Sequence, residues 1–174
     1  KYGTNMQFSI DFKKLRFNED KKIYLENDGN LAAYYEYFLH FKNDYKNLIM
    51  LTFGTGIGGG IIYNSEIFKG SGNAGEIGRI LINEKSYLED IISAKAWTKK
   101  CQELYEINKQ TKLSRIFFEE KVGSLLFDQS IDLEDYEKLA RDEIIQSTSN
   151  ALISLFELFD NDVFVIGGSM TQSP

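Results

Sequence analysis

Between Gly54 and Gly60 five of seven residues are glycine, and an apolar run from Asn47 to Phe53 leads directly into them. A loop with so little side-chain bulk lets backbone N–H groups approach an anion closely. Gly54, Gly56 and Gly59 satisfy G-x-G-x-x-G, but a dinucleotide-binding loop must open a helix at once. The chain continues instead with Ile61-Ile62-Tyr63, the turn-prone Asn64-Ser65, then Glu66-Ile67-Phe68. That pattern reads as a β-hairpin. No Gly-Lys-Ser/Thr comes after the glycines, so the Walker loop is excluded too. Two readings stay open on these residues alone: a hairpin whose tip binds phosphate, and a tight hairpin whose glycines only supply positive φ.

A chain of 174 residues, 43% of them hydrophobic and with 10 Tyr and 13 Phe, has enough material for a packed core. Its net charge of −6 without a basic cluster argues against nucleic acid or a membrane surface as partner. The single Cys101 excludes an internal disulfide framework and a multi-cysteine zinc site, and points to a reducing, cytoplasmic setting. No apolar run approaches the roughly 18 residues of a membrane span, and the start has no signal-peptide pattern. The chain begins without Met and stops just after a Gly-Gly, so both ends read as cut.

In chain order, Lys1 to Asp20 reads as loop with one short helix, and Lys22 to Glu26 as a strand. Asn27-Asp28-Gly29-Asn30 then precedes Leu31 to Phe41, where Leu31, Tyr34, Tyr35, Phe38 and Phe41 recur at helical spacing. Asp28 therefore lies at a strand-to-helix junction, where its plain role is helix N-cap. His40 stands alone late in this helix, with no catalytic partner in sight. Leu88 to Gln102 reads as a helix with Trp97 and Cys101 in the core. Lys112 to Leu126 reads as one or two short helices. A long helix is expected from about Ile131 to Phe159, with Asp132 as cap and a stripe through Tyr136, Ala140, Ile144, Ser147, Ala151, Leu155 and Leu158. Val163-Phe164-Val165-Ile166 is wholly apolar and reads as a central parallel strand, with Gly167-Gly168 at the end where ligands collect in α/β sheets. The order is mixed α/β with an antiparallel hairpin near the front.

Four segments in order carry a resemblance: Glu26-Asn27-Asp28-Gly29-Asn30, Leu51 to Gly60, Ala74-Gly75-Glu76-Ile77-Gly78 and Val165-Ile166-Gly167-Gly168. They resemble the E-N-D-A-N, l-G-T-G-I-G-G-G, A-G-E-I-G-H and v-I-G-G boxes of the ROK family (repressors, open reading frames and sugar kinases). The resemblance implies an α/β chain of the actin-like ATPase (ribonuclease H-like) fold, with a mixed sheet and flanking helices. It implies ATP and Mg²⁺ as cofactors and a hexose or amino sugar as substrate, with a homodimer as the assembly common in the family. Asp28 matches the general base that takes the proton from the attacking sugar hydroxyl. Asn27, Glu76 and Glu89 match sugar-contacting positions. Gly54, Thr55 and Gly56 match the second phosphate loop, and Gly167 and Gly168 the adenosine segment.

The departures are as informative. The box that ends in a zinc-ligating, sugar-contacting His has Arg79 here, and the cysteine-rich zinc segment is absent. Its tail survives as Ser86 to Ser93, with Tyr87 at a cysteine position, so no zinc is expected. Arg79 is expected to pair with Glu76 or Glu89, or else to enter the sugar pocket. No D-x-G-G-T loop precedes Asp28, and no strand–helix unit comes after Gly168. The chain is therefore expected to be incomplete, with residues 1–30 as the edge of an N-terminal lobe and 31–174 as the C-terminal lobe. The resemblance implies one of three functions: a sugar kinase of glucokinase type, the sugar-sensing domain of a ROK repressor, or a degenerate member without ligand. The second needs a DNA-binding helix-turn-helix, which these residues do not contain.

Overall fold

The computed structural model describes residues 25–172. The expectations for Lys1 to Asp20 and for the strand from Lys22 lie outside that range, and Leu25 and Glu26 themselves belong to no strand. The apolar run forms β1 (Leu48–Phe53), turns through Gly54–Gly56, and returns antiparallel as β2 (Ile57–Tyr63). A second hairpin joins β2 to β3 (Glu66–Ile67), with Asn64 and Ser65 both at positive φ as a two-residue turn requires. The sequence expectation of two consecutive hairpins is therefore met.

A 3₁₀ turn at Ile77–Arg79 leads to a small ribbon of β4 (Leu81–Asn83) and β5 (Ser86–Tyr87). The helix expected from Leu88 to Gln102 is broken in two: α2 (Glu89–Ile92) and α3 (Ala94–Ile107). Ser93 is the reason. It adopts extended backbone, and its hydroxyl accepts from the Ala96 N–H, capping α3. Then come α4 (Lys112–Glu120) and a 3₁₀ turn at Gly123–Phe127. The long helix α5 spans Asp135–Phe159. Its cap is Glu134 rather than Asp132, in a reciprocal capping box with Glu137. Strand β6 (Val163–Gly167) closes the order β3-β2-β1-β6, running parallel to β1. The expectation of a central parallel strand holds for direction but not for position. Among the described residues β6 pairs with β1 alone, and Ile166 is 45% exposed.

Alternation along β1 sorts the core into two layers. Ile49, Leu51 and Phe53 face α2–α5, where Leu88, Ile92, Leu113, Phe117, Ile144 and Leu155 complete the larger cluster. Cys101 is buried in that layer, and burial together with the nearby Glu137 carboxylate pushes its thiol up to about 12. Leu48, Met50 and Ile62 face the opposite way, toward α1 (Asp28–Glu36) and a π-helical turn at Tyr37–Phe41.

On that second face the helical stripe expected from periodicity fails except at Phe41, which packs against the buried cluster. Leu31, Tyr34, Tyr35 and Phe38 are exposed, Tyr35 by 61%, while Asn30, Ala33 and Tyr37 are buried. The reason lies in β2. A Cβ on Gly60 would sit 2.7 Å from both the Ala33 Cβ and the Gly29 carbonyl oxygen, so α1 lies almost backbone-to-backbone on the glycine strand. Only small residues fit the contact, so Leu31, Tyr34, Tyr35 and Phe38 are turned outward, while Tyr37 is buried in the next turn. In α5 the expected stripe holds at Ala140, Ile144, Ala151 and Leu155 but fails at Leu158, which is 74% exposed. Phe159, the next residue, still packs against the core, so Leu158 lies on the outer side of the helix.

Candidate functional site

The site lies where the C-terminal end of β1, its glycine turn and the first turn of α1 converge. Asn27, not Asp28, caps α1: its side-chain oxygen accepts from the Asn30 N–H at 3.1 Å. Asp28 is thereby released from the capping role expected of it. It opens the helix exposed to solvent, with its Oδ1 accepting from the Gly29 N–H at 2.9 Å and its second oxygen without a partner among the described residues. Two clefts meet at this carboxylate. One, of about 250 Å³, is lined by Asn27, Asp28, Thr52, Gly58, Gly75 and Glu76. The other, of about 330 Å³, is lined by Asp28, Thr52, Gly54, Thr55, Gly56, Glu89, Gly168 and Ser169. Asp28, Thr52 and Gly58 line both.

The glycine turn carries the geometry of an anion cradle. Neither Gly54 nor Gly56 in the turn has positive φ, nor do Gly58, Gly59 and Gly60 in β2, so conformational freedom does not explain them. The Gly54 N–H is spent on the Gly56 carbonyl at 3.0 Å, and the Gly54 carbonyl accepts from the Ala94 N–H at 3.0 Å, tying the turn to the start of α3. The N–H groups of Thr55 and Gly56 have no partner among the described residues, and both residues are exposed. Beside the turn, Gly168 has φ +105°, and a Cβ there would run into the Phe53 backbone. Only glycine lets β6 end so close to β1. Gly167 pairs in register with Thr52.

The predicted site residues are thus brought together in two groups. Asn27, Asp28 and Glu76 share the first cleft; Gly54, Thr55, Gly56, Gly168 and Glu89 share the second with Asp28. Gly167 lines neither, and nor does Arg79. Its Nη1 lies 3.6 Å from Glu89 Oε1, and its guanidinium sits 5.4 Å from the centre of the Tyr87 ring. Of the two carboxylates it was expected to meet, it reaches Glu89. That carboxylate would otherwise stand unneutralised beside the anion cradle, since a Cβ on Gly56 would lie 3.2 Å from its Oε2.

For an ATP-type donor the fit is good: two open N–H groups, a threonine hydroxyl and glycines that leave room for phosphate oxygens. Among the described residues no three His, Cys, Asp or Glu side chains cluster to hold a metal. Sequence reasoning missed Thr52, whose only signal was a hydroxyl in an otherwise apolar strand. It also missed Lys69, whose ammonium pairs with Glu26, itself bonded to Asn30.

Comparison with known proteins bears on the family and the fold. The family model described as "ROK family" matches residues 5–174. The xylose repressor of Staphylococcus xylosus is 41% identical over 87 residues, which is 45% of this chain and 23% of the repressor. The glucokinase of Thermotoga maritima is 24% identical over 165 residues, covering 88% of this chain and 52% of the enzyme. Among solved structures, a ROK family glucokinase from Streptomyces griseus in complex with glucose and AMPPNP superposes with a TM-score of 0.69 at 23% identity, over 84% of this chain and 52% of that one. The chain spans about half the length of these two glucokinases. The fold is that of the actin-like ATPases, mixed α/β with a mixed sheet. Among the described residues no helix is long and apolar enough to cross a membrane.

Proposed function

This chain belongs to the ROK family, and from that premise we propose that it forms the sugar- and phosphate-binding lobe of an ATP-dependent kinase acting on a hexose or amino sugar. One observation carries the reading: Asp28 lines both the cleft of Asn27 and Glu76 and the cleft of the glycine turn. A carboxylate between an acceptor pocket and a phosphate cradle is where phosphoryl transfer needs its base. Residues 31–174 are then the C-terminal lobe, and residues 1–30 lead into it from the other.

In this mechanism Asn27 and Glu76 hold sugar hydroxyls, one as donor and acceptor, the other as acceptor. Asp28, with one oxygen fixed by the Gly29 N–H, takes the proton of the attacking hydroxyl on the other. ATP, when bound, supplies the phosphoryl group. The Thr55 and Gly56 N–H groups would meet the phosphate charge, and the end of β6 at Gly167 and Gly168 would lie beside the nucleoside. Arg79 acts by neutralising Glu89 beside that charge.

The test is sugar-dependent ADP formation by the full-length protein across a panel of hexoses and N-acetylhexosamines. Asp28→Asn is expected to lower turnover by about 10²- to 10⁴-fold while calorimetry still detects the sugar. Unchanged turnover in that variant removes Asp28 from the role.

A second reading is supported by the 41% identity to a xylose repressor over 87 residues, a shorter match than the 165 residues shared with the glucokinase. In it the same cleft binds sugar as a signal. It predicts sugar binding without turnover, together with sugar-dependent DNA binding by the full-length protein.

A further inference from the structure

Two stretches far apart in sequence form the walls of the sugar cleft: the entry to α1, with Asn27 and Asp28, and the turn at 70–75 that delivers Gly75 and Glu76. One side chain reaches across between them. Glu26 Oε1 accepts from the Asn27 N–H at 3.1 Å and from Asn30 Nδ2 at 3.0 Å, while its Oε2 is paired with the Lys69 ammonium. The Lys69 carbonyl in turn accepts from the Gly72 and Ala74 N–H groups, at 2.8 and 3.2 Å, and so organises the turn. Asn30 is buried at the same junction, and its Oδ1 lies 3.6 Å from where a Gly75 Cβ would be.

We propose that the Glu26–Lys69 pair is a positioning clamp that sets the spacing of Asp28 and Glu76 across the sugar cleft. Neither residue lines that cleft, so neither is a catalytic residue. Both act through the segments they join. The Glu26 side chain is 14% exposed and that of Lys69 54%, so the carboxylate is the fixed end and the lysine closes on it. The bonds from Lys69, Asn30 and Asn27 also hold the Glu26 carboxyl down at about 2, which keeps it charged wherever Lys69 is charged. The same glutamate orders the start of α1 and the Glu76 turn, so a loose clamp spoils sugar geometry while leaving the phosphate cradle alone. The cradle is fixed separately, through Ala94 and β6.

The functional meaning of the clamp rests on the kinase reading, and the experiment separates the two. In the full-length protein, Lys69→Met removes the pair and leaves every Glu26 hydrogen bond to Asn27 and Asn30 in place; Lys69→Arg keeps the charge. Lys69→Met is expected to raise the sugar KM about tenfold or more, with the ATP KM within about twofold of wild type. Lys69→Arg is expected to return the sugar KM to within about threefold of wild type. A purely structural role moves both KM values together, or only the melting temperature, and either result overturns the proposal. If wild-type protein phosphorylates no sugar, the kinase reading fails. The clamp is then judged by hydrogen exchange in Lys69→Met: faster exchange at both 27–30 and 70–77 supports it, and unchanged exchange at either overturns it.

Discussion

On one face of the sheet Ile49, Leu51 and Phe53 meet four helices through large side chains such as Leu113 and Phe117. On the other, Leu48 and Met50 meet a single helix that comes so close that Gly60 touches Ala33 and Gly29. The first face is held by volume, the second by backbone proximity. The helix that carries Asp28 belongs to the second. A volume-packed layer relaxes when altered, because neighbouring side chains change rotamer. A backbone contact has no such freedom, so the position of Asp28 is fixed by the absence of side chains at Gly29 and Gly60.

That difference can be broken by substitution. Phe117→Ala, in the volume-packed layer, is expected to cost about 3–5 kcal/mol in urea unfolding while the remaining folded protein binds sugar normally. Gly60→Ala is expected to cost less, about 1–3 kcal/mol, yet to lower kcat far more than Phe117→Ala does, because it lifts α1 and Asp28 with it. If Gly60→Ala leaves kcat intact, the second face is no more exacting than the first.

Acid should separate the faces too. Glu26 drops from the ordinary value of 4.5 to about 2 through bonds from Lys69, Asn30 and Asn27. A depressed carboxyl stabilises the folded state above its unfolded value and loses that contribution as pH falls through the folded one. The α1 face should therefore loosen between about pH 4.5 and 2, seen as hydrogen exchange rising at 27–30 before it rises in α4. Asp162 is held low by the Lys46 and Asn47 N–H groups, and the link it makes between the starts of β1 and β6 should weaken in the same direction. The smallest effect is expected at Tyr35→Ser, within about 0.5 kcal/mol, because that aromatic faces out. A cost comparable to Gly60→Ala would mean that the aromatic side of α1 also packs against something.

Legibility in the sequence obeyed the same divide. The hairpins, α3, α4, α5 and the parallel β6 were readable because β-branched runs, turn pairs and 3.6-residue stripes report on volume-packed layers. The stripe in Leu31 to Phe41 misled for the converse reason: where backbones touch, the buried residues are the small ones, and hydrophobic periodicity marks the wrong side. Ser93 split a helix that its neighbours would have continued, since a serine cap looks like any serine until its backbone is seen to be extended. At the site, Asp28, Asn27, Glu76 and the glycine turn were legible as boxes of residues. Thr52 and Lys69 were not, because a lone hydroxyl and a lone ammonium acquire meaning only from what lies across the cleft.

Strand β6 ends the sheet with a row of apolar residues and, among the described residues, pairs on one side only. Its outer edge is in effect half of a zipper, with main-chain donors and acceptors spaced for an incoming strand. Handled as a separate polypeptide, this chain is expected to self-associate through that edge as concentration rises, and a lysine in place of Ile166 should keep it monodisperse in light scattering. The strand that brings Gly168 to the cleft of the glycine turn is thus also the one that sets how long this chain stays in solution.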